Sequence, residues 1–365
     1  MIAYLVRRLV LMVPTLFGIM VINFVIIQFA PGGPVESLIA QIQGLGTDAT
    51  GRFAGGSQEQ LAPTEASRDT GTGYRGAQGL DPELIERIER MYGFDQPAHV
   101  RFFDMMGRYL VFDFGESFFS DRKVVDLVLD KLPVSVSLGL WTTLLVYLIS
   151  IPLGVAKAVR DGSPFDVWTS AVVVVGNAIP GFLFAILLII LFAGGRFLDW
   201  FPLQGITSPD WREMGWAARI LDYLWHMVLP VLSMVIGGVA GLVMLTKNSF
   251  LDQINQQYVL TARAKGLDRK RVLYGHVFRN AMLIVIAGFP AAFIGILFTG
   301  ALLTEVIFSL DGLGLLGFEA AINRDYPVMF ATLYFFTLLG LVMNIIGDFT
   351  MTVVDPRIDF EHRNV

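Results

Sequence analysis

The chain has 365 residues, 54% of them hydrophobic and only 16% charged, where an ordinary soluble domain carries about 25% charged residues. Mean hydropathy is +0.61, so a membrane protein is expected, and the formal net charge of −5 acquires meaning only once charges are sorted by membrane side. There is no cysteine, which excludes disulfide frameworks, thiolate metal sites and cysteine nucleophiles.

A hydrocarbon core of roughly 30 Å needs about 20 apolar residues of helix. Six runs free of Asp, Glu, Lys and Arg meet that length: Leu9–Ala30, Val134–Ala156, Val167–Gly195, Met227–Thr246, Ala281–Thr304 and Tyr326–Gly347. They predict an all-α polytopic membrane protein with six transmembrane helices, each satisfying its own backbone hydrogen bonds. The first run follows Arg7-Arg8 and exceeds the roughly 7–15 residues of a signal-peptide apolar region, so it reads as an uncleaved anchor. Pro180 marks a kink site in the long third run.

With the amino terminus inside, the cytoplasmic segments hold thirteen Lys/Arg, Lys157 and Arg160 among them, and the short outer loops 196–226 and 305–325 hold four. Both termini are therefore expected in the cytoplasm. Residues 31–133 then form an outer insertion carrying 16 Asp/Glu against 10 Lys/Arg, an excess that reads as a solvated surface or as an attraction for cations. Within it, 44–80 holds nine glycines and is expected to be a mobile loop. From Asp81, a helix cap followed by Pro82, apolar residues recur at helical spacing, predicting a small helical subdomain to Leu132.

Candidate catalytic chemistry is sparse. Gly312-Leu313-Gly314-Leu315-Leu316-Gly317 matches the dinucleotide-binding glycine pattern, yet it lies in an outer loop between two spans rather than after a buried strand. Tight turns and close helix packing account for these glycines. His99, His226, His276 and His362 are scattered, and no phosphate-binding loop of the G-x-x-x-x-G-K-[ST] type occurs. No enzyme activity, metal or cofactor is expected in this chain. Ionisable groups at membrane depth, the mark of ion-coupled transport, are missing from all six runs; Asn23, Gln28, Asn177 and Asn344 read as glue between helices.

The stretch YVLTARAKGLDRKRVLYGHVFRNA, Tyr258–Ala281, stands out between the fourth and fifth runs. Ala262, Ala264 and Gly266 are small enough for a partner to approach, while Arg263 and Lys265 project charge. Gly266 suits a helix C-terminus and Asp268 the cap of a second helix starting at Arg269. Two short helices meeting at Gly266–Asp268 would form a rigid elbow within the loop 247–281. Basic charge alone would equally describe a loop that only sets topology.

At these residues the sequence resembles the permease subunits of binding-protein-dependent ABC importers, whose cytoplasmic loop has the form E-A-A, three residues, G, nine residues, I-x-L-P. Aligned on Gly266, Leu260-Thr261-Ala262 occupy E-A-A and His276, Phe278 and Arg279 occupy I, L and P, so only Ala262 and Gly266 match the general form. The peptide-permease branch reads TARAKGL followed by H-x-x-RNA, and this chain has TARAKGL at 261–267 and HVFRNA at 276–281. YLVRRLVLMVPTLFGIMVINF near the amino terminus, FDFGESFF at 112–119, LPVSVSLGLW at 132–141, RDYPV at 324–328 and VDPRI at 354–358 resemble the first permease subunit of dipeptide and oligopeptide importers. APGGP at 30–34, FSLDGLGLLGFEA at 308–320 and the outer insertion are similar to the Yej-type subgroup.

The resemblance implies a type I ABC importer permease fold and a coupling helix seated in a groove of a cytoplasmic ABC ATPase. Thr261, Ala262, Arg263, Ala264, Lys265, Gly266 and Leu267 would form the docking surface, with Arg279 and Asn280 closing the second helix. Leu260, where the family form has glutamate, would lack one interaction that braces the loop. The implied partners are a second permease in a heterodimer, ATPase domains that bind ATP and Mg, a periplasmic peptide-binding protein and the peptide itself. The implied function is alternating-access import of oligopeptides or peptide-like compounds across a bacterial inner membrane; an ion-gradient-driven peptide transporter is the alternative.

Overall fold

A computed structural model of the chain describes residues 2–29, 95–120, 122–195, 197–295 and 301–354. Among them every regular element is a helix, and extended pairing is limited to an isolated bridge, Glu116 with Lys123. The loop 44–80 and the helix start at Asp81–Pro82 lie outside the described residues. By contacts the chain divides into two compact units, one comprising Met1–Val10, Pro133–Gly314 and Leu338–Val365, the other Leu11–Leu132 and Leu315–Thr337.

Four of the six apolar runs, the first as far as Phe29, lie in single long helices: α1 (Ile2–Phe29), α3 (Val124–Val159), α6 (Trp216–Ile254) and α12 (Tyr326–Val354). The fifth begins in α9 (Phe278–Gly295) and ends in α10 (Ala301–Ile307). The short α2 (Ala98–Tyr109) precedes α3. With 36 and 39 residues, α3 and α6 reach about 54 and 58 Å at 1.5 Å per residue, well beyond a hydrocarbon core. The expected subdomain end at Leu132 coincides with the boundary between the two units, and α3, which starts at Val124, carries the chain across it into the second apolar run.

The third run departs further from expectation. Instead of one kinked helix it forms α4 (Pro164–Ala178) and α5 (Gly181–Phe192), which meet at 91°. The cause is local: a proline excludes the preceding residue from helical geometry, and Ile179 before Pro180 sits at φ −84°, ψ 118°. Ser163 opens α4 as an N-cap, accepting from the Asp166 amide, with Pro164 in the first turn.

Within the first unit, α3 and α6 approach so closely that a Cβ on Gly154 would lie 2.6 Å from Thr246 Cβ; only glycine permits this contact. A second close approach explains the glycine-rich run. Glu305 is fully buried, its Oε1 accepting from Ser135 Oγ at 3.0 Å, and that hydroxyl accepts from the Leu313 amide at 2.7 Å. A Cβ on Gly312 would fall 2.2 Å from Glu305 Oε1, so the glycine before α11 (Leu313–Asn323) makes room for a buried carboxylate.

The second unit is held by aromatic rings. Phe24 packs on Phe102 and Phe330, and Tyr109 on Phe114 and Tyr334. Asp325, just ahead of α12, accepts from Ser117 Oγ at 2.5 Å and from the Phe118 amide at 3.2 Å. Burial raises the Asp325 carboxyl above the ordinary aspartate range, against the lowering effect of these hydrogen bonds.

Candidate functional site

The stretch between the fourth and fifth runs folds as an elbow. α7 (Gln257–Ala264) stops because Gly266 turns left-handed at φ +81°, and the Leu267 amide donates back to the Ala262 carbonyl at 3.3 Å. Asp268 then caps α8 (Arg269–Val272), its carboxylate accepting from the Lys270 amide at 3.1 Å. The elbow at Gly266–Asp268 is thus formed by the two residues the sequence marked for it.

The second arm is longer than expected. After α8 the chain makes one π turn, Leu273–Val277, and continues directly into α9. Arg279 and Asn280 therefore sit exposed within a continuous 27-residue helical stretch, Arg269–Gly295, and do not close a short helix. The proline of this stretch, Pro290, lies well beyond the elbow, so the helix from Arg269 to Phe289 continues the second arm without a proline or cap.

The underside of the elbow is apolar. Val259, Ala262, Val272 and Val277 pack with Val155 and Ala158 of α3, Phe250 of α6 and Ala281, Met282 and Val285 of α9. Ala262 thereby corrects one expectation: with 8% exposure it faces this core and offers no docking surface. Val259, three residues earlier on the same helix face, was the sequence signal that could have revealed its direction. Thr261, Arg263, Ala264, Lys265 and Gly266 are exposed and Leu267 is half-buried. Two exposed apolar side chains were not anticipated as surface, Leu260 and Tyr274, each 61% exposed. Together with Arg269, Lys270, Arg271 and Arg279 they give the elbow a basic outer face with apolar points.

Beside the elbow lies a charge cluster that sequence reading missed. Lys157, in the last turn of α3 and counted above as a loop charge, is fully buried. Its Nζ lies 2.9 Å from Asp166 Oδ1 and donates to the Asp166 carbonyl, Thr169 Oγ1 and Ser170 Oγ at 2.8, 3.0 and 2.6 Å. Lys247 of α6 reaches the same carboxylate at 2.7 Å and Asp161 at 2.8 Å. Two cations and two carboxylates thus tie α3, α4 and α6 together. The elbow joins this corner where Arg269 Nη2 donates to the Val159 carbonyl at 3.4 Å.

Comparison with known proteins matches residues 150–360, elbow included, to the family described as "Binding-protein-dependent transport system inner membrane component". The chain is 57% identical to the "Peptidoglycan transport system permease protein YejB" of Agrobacterium fabrum, with 100% of both chains covered. It is 58% identical to the "Inner membrane ABC transporter permease protein YejB" of Escherichia coli O157:H7, over 99% of this chain and 100% of that one. Similarity to the "Oligopeptide transport system permease protein AppB" of Bacillus subtilis is 33% identity over 99% of this chain and 100% of the relative.

Proposed function

Because the chain belongs to the family of binding-protein-dependent transport system inner membrane components, we propose that it is the permease subunit through which an ATP-driven importer takes up peptides or peptide-like compounds, fragments of peptidoglycan included. The observation that carries the reading is the elbow, whose basic outer face is bare while its apolar underside grips three helices that enter the membrane. A partner seated on Thr261, Arg263, Ala264, Lys265 and Gly266 displaces α3, α6 and α9 together, since a close-packed interior transmits strain.

In this reading the chain pairs with a second permease, two ABC ATPase domains dock from the cytoplasm, and a periplasmic binding protein delivers the peptide. Both termini lie in the cytoplasm, and ATP and Mg are bound by the ATPases. ATP binding favours an outward-open path and hydrolysis restores the inward-open one. For this the ATPase must contact the elbow with different free energy in the two states.

The test is uptake of a labelled peptide by cells or proteoliposomes containing the whole transporter. Uptake that survives collapse of the proton gradient but stops on ATP depletion supports the reading. Uptake that follows the proton gradient with ATP held constant overturns it in favour of an ion-coupled transporter.

A further inference from the structure

The outer insertion contains a helix, α2, with more apolar surface than the described residues cover. On α2, Phe102, Met106 and Tyr109 are buried at helical spacing, while Phe103 and Leu110 on the adjoining flank are 62% and 69% exposed. Val111 and Phe112 continue the bare surface at 74% and 52%. Three consecutive exposed apolar residues, Leu110 to Phe112, need a cover in a stable protein. Arg101 and Arg108 occupy the opposite side, about 140–180° around the helix from Phe103 and Leu110 at 3.6 residues per turn, and Asp104 lies about 100–120° from them.

What covers this patch follows from where α2 lies. The Phe102 ring is 5.6 Å from Phe17 and 5.2 Å from Phe24, both on α1. These residues sit about 18 Å and 7.5 Å back from the end of α1 at Phe29, counting 1.5 Å per residue, within the stretch of α1 long and apolar enough to cross a membrane. α1 itself presents Ile22 and Ile26, 58% and 60% exposed, and Val13, 62% exposed and about 24 Å back from Phe29, as a membrane span with apolar side chains bare on more than one face. Phe17, itself 40% exposed, packs on the buried Phe102, whose ring is 5.6 Å from that of the exposed Phe103, so aromatic packing links α1 to the bare flank of α2. The charged side is turned outward: Arg101 Nη2 donates to Gln28 Oε1 at 3.1 Å, one residue from the end of α1, as an arginine reaching toward headgroups does. Arg108 is held by Asp113 at 3.1 Å.

We propose that α2 lies in the membrane interface, with Phe103, Leu110, Val111 and Phe112 among the acyl chains of the leaflet at the carboxyl end of α1, and with Arg101, Asp104 and Arg108 at headgroup level. The occupant of the patch is lipid. The side-chain arrangement is that of an interfacial amphipathic helix, with one polar flank and one apolar flank. Both arginines are engaged within the protein, so insertion does not depend on anionic lipid. This placement rests on α1 being a membrane span and is independent of what the transporter carries.

The cysteine-free chain allows single spin labels at Phe103→Cys, Leu110→Cys, Asp104→Cys and, as a lipid-facing reference, Val13→Cys, in the complete transporter in phosphatidylcholine nanodiscs. Labels at 103 and 110 are expected to relax with oxygen, as at 13, and the label at 104 with a water-soluble nickel chelate. Val111→Cys replaces either apolar site if that variant fails to assemble. Nickel-dominated relaxation at 103 and 110 would place the patch in water, and exclusion of both reagents would place it under a protein partner. Either result overturns the proposal. An oxygen response that vanishes unless anionic lipid is added would overturn its charge-independent form.

Discussion

Lys157 Nζ and Asp166 Oδ1 stand 2.9 Å apart, with the lysine side chain fully buried and the aspartate 8% exposed. They join the last turn of α3 to the first turn of α4, and Lys247 brings α6 to the same carboxylate. This corner adjoins the apolar seat of the elbow, where Val155 and Ala158 of α3 meet Val259 and Ala262. It therefore ties together the helices on which the elbow packs.

Removing one partner of a buried pair leaves the other charge desolvated and uncompensated, which costs about 3–5 kcal/mol. Lys157→Met leaves Asp166 with Lys247 at 2.7 Å, so it is expected to destabilise the protein by less than that, about 1–3 kcal/mol, in thermal or denaturant unfolding in detergent. Combined with Asp166→Asn it should cost clearly less than the sum of the two single changes, because Lys247 keeps Asp161. A Lys157→Met penalty within about 0.5 kcal/mol, as for an ordinary surface change, would refute the role given to this pair.

Gly312→Ala places a methyl group on a buried carboxylate, since its Cβ would lie 2.2 Å from Glu305 Oε1. Overpacking of this kind costs about 1–3 kcal/mol. Glu305→Ala frees the space, so adding Gly312→Ala to that background should cost less than half of what it costs in the unaltered chain. Equal penalties in both backgrounds would show that the glycine is needed for something other than room for Glu305.

Asp325 supplies a pH dependence of definite sign. Its carboxyl is raised by burial, so the folded chain binds this proton more tightly than the unfolded one. The associated stability is full below the ordinary aspartate range and declines as pH rises through the raised range. Asp325→Asn cannot ionise, so its stability relative to the unaltered chain should improve as pH rises across that window. Unfolding midpoints of both proteins over a pH series would measure this, and a relative stability that worsens with pH has the wrong sign for the account.

Much of the elbow was legible because its signals are local. A glycine tolerates the left-handed turn and an aspartate caps the next helix, so Gly266 and Asp268 mark the elbow by chemistry alone. Pro180 marks the break in the third run for the same reason, whereas the 91° angle depends on what α4 and α5 pack against. The Lys157 cluster was not legible, since Lys247 and Asp166 are 81 residues apart and a lysine at a run end looks like a topology charge. Ala262 was misplaced because smallness suits a docking surface and a packed core equally well. The outer insertion read as a solvated surface or an attraction for cations because of its acid excess, while the contact of α2 with Phe17 and Phe24 comes only from the fold.

The elbow's role as the point where ATPase motion enters the membrane is tested most directly by peptide-stimulated ATP hydrolysis in the reconstituted transporter bearing Gly266→Trp, with Gly266→Ala as control. Both changes strain the left-handed turn, by about 1–2 kcal/mol, but only tryptophan adds bulk to the exposed face, where nothing lies within 4 Å of the position. The alanine variant should retain most of the stimulation, and the tryptophan variant should reach the membrane yet show none. Stimulation undiminished in Gly266→Trp would contradict the assignment of this face to an ATPase.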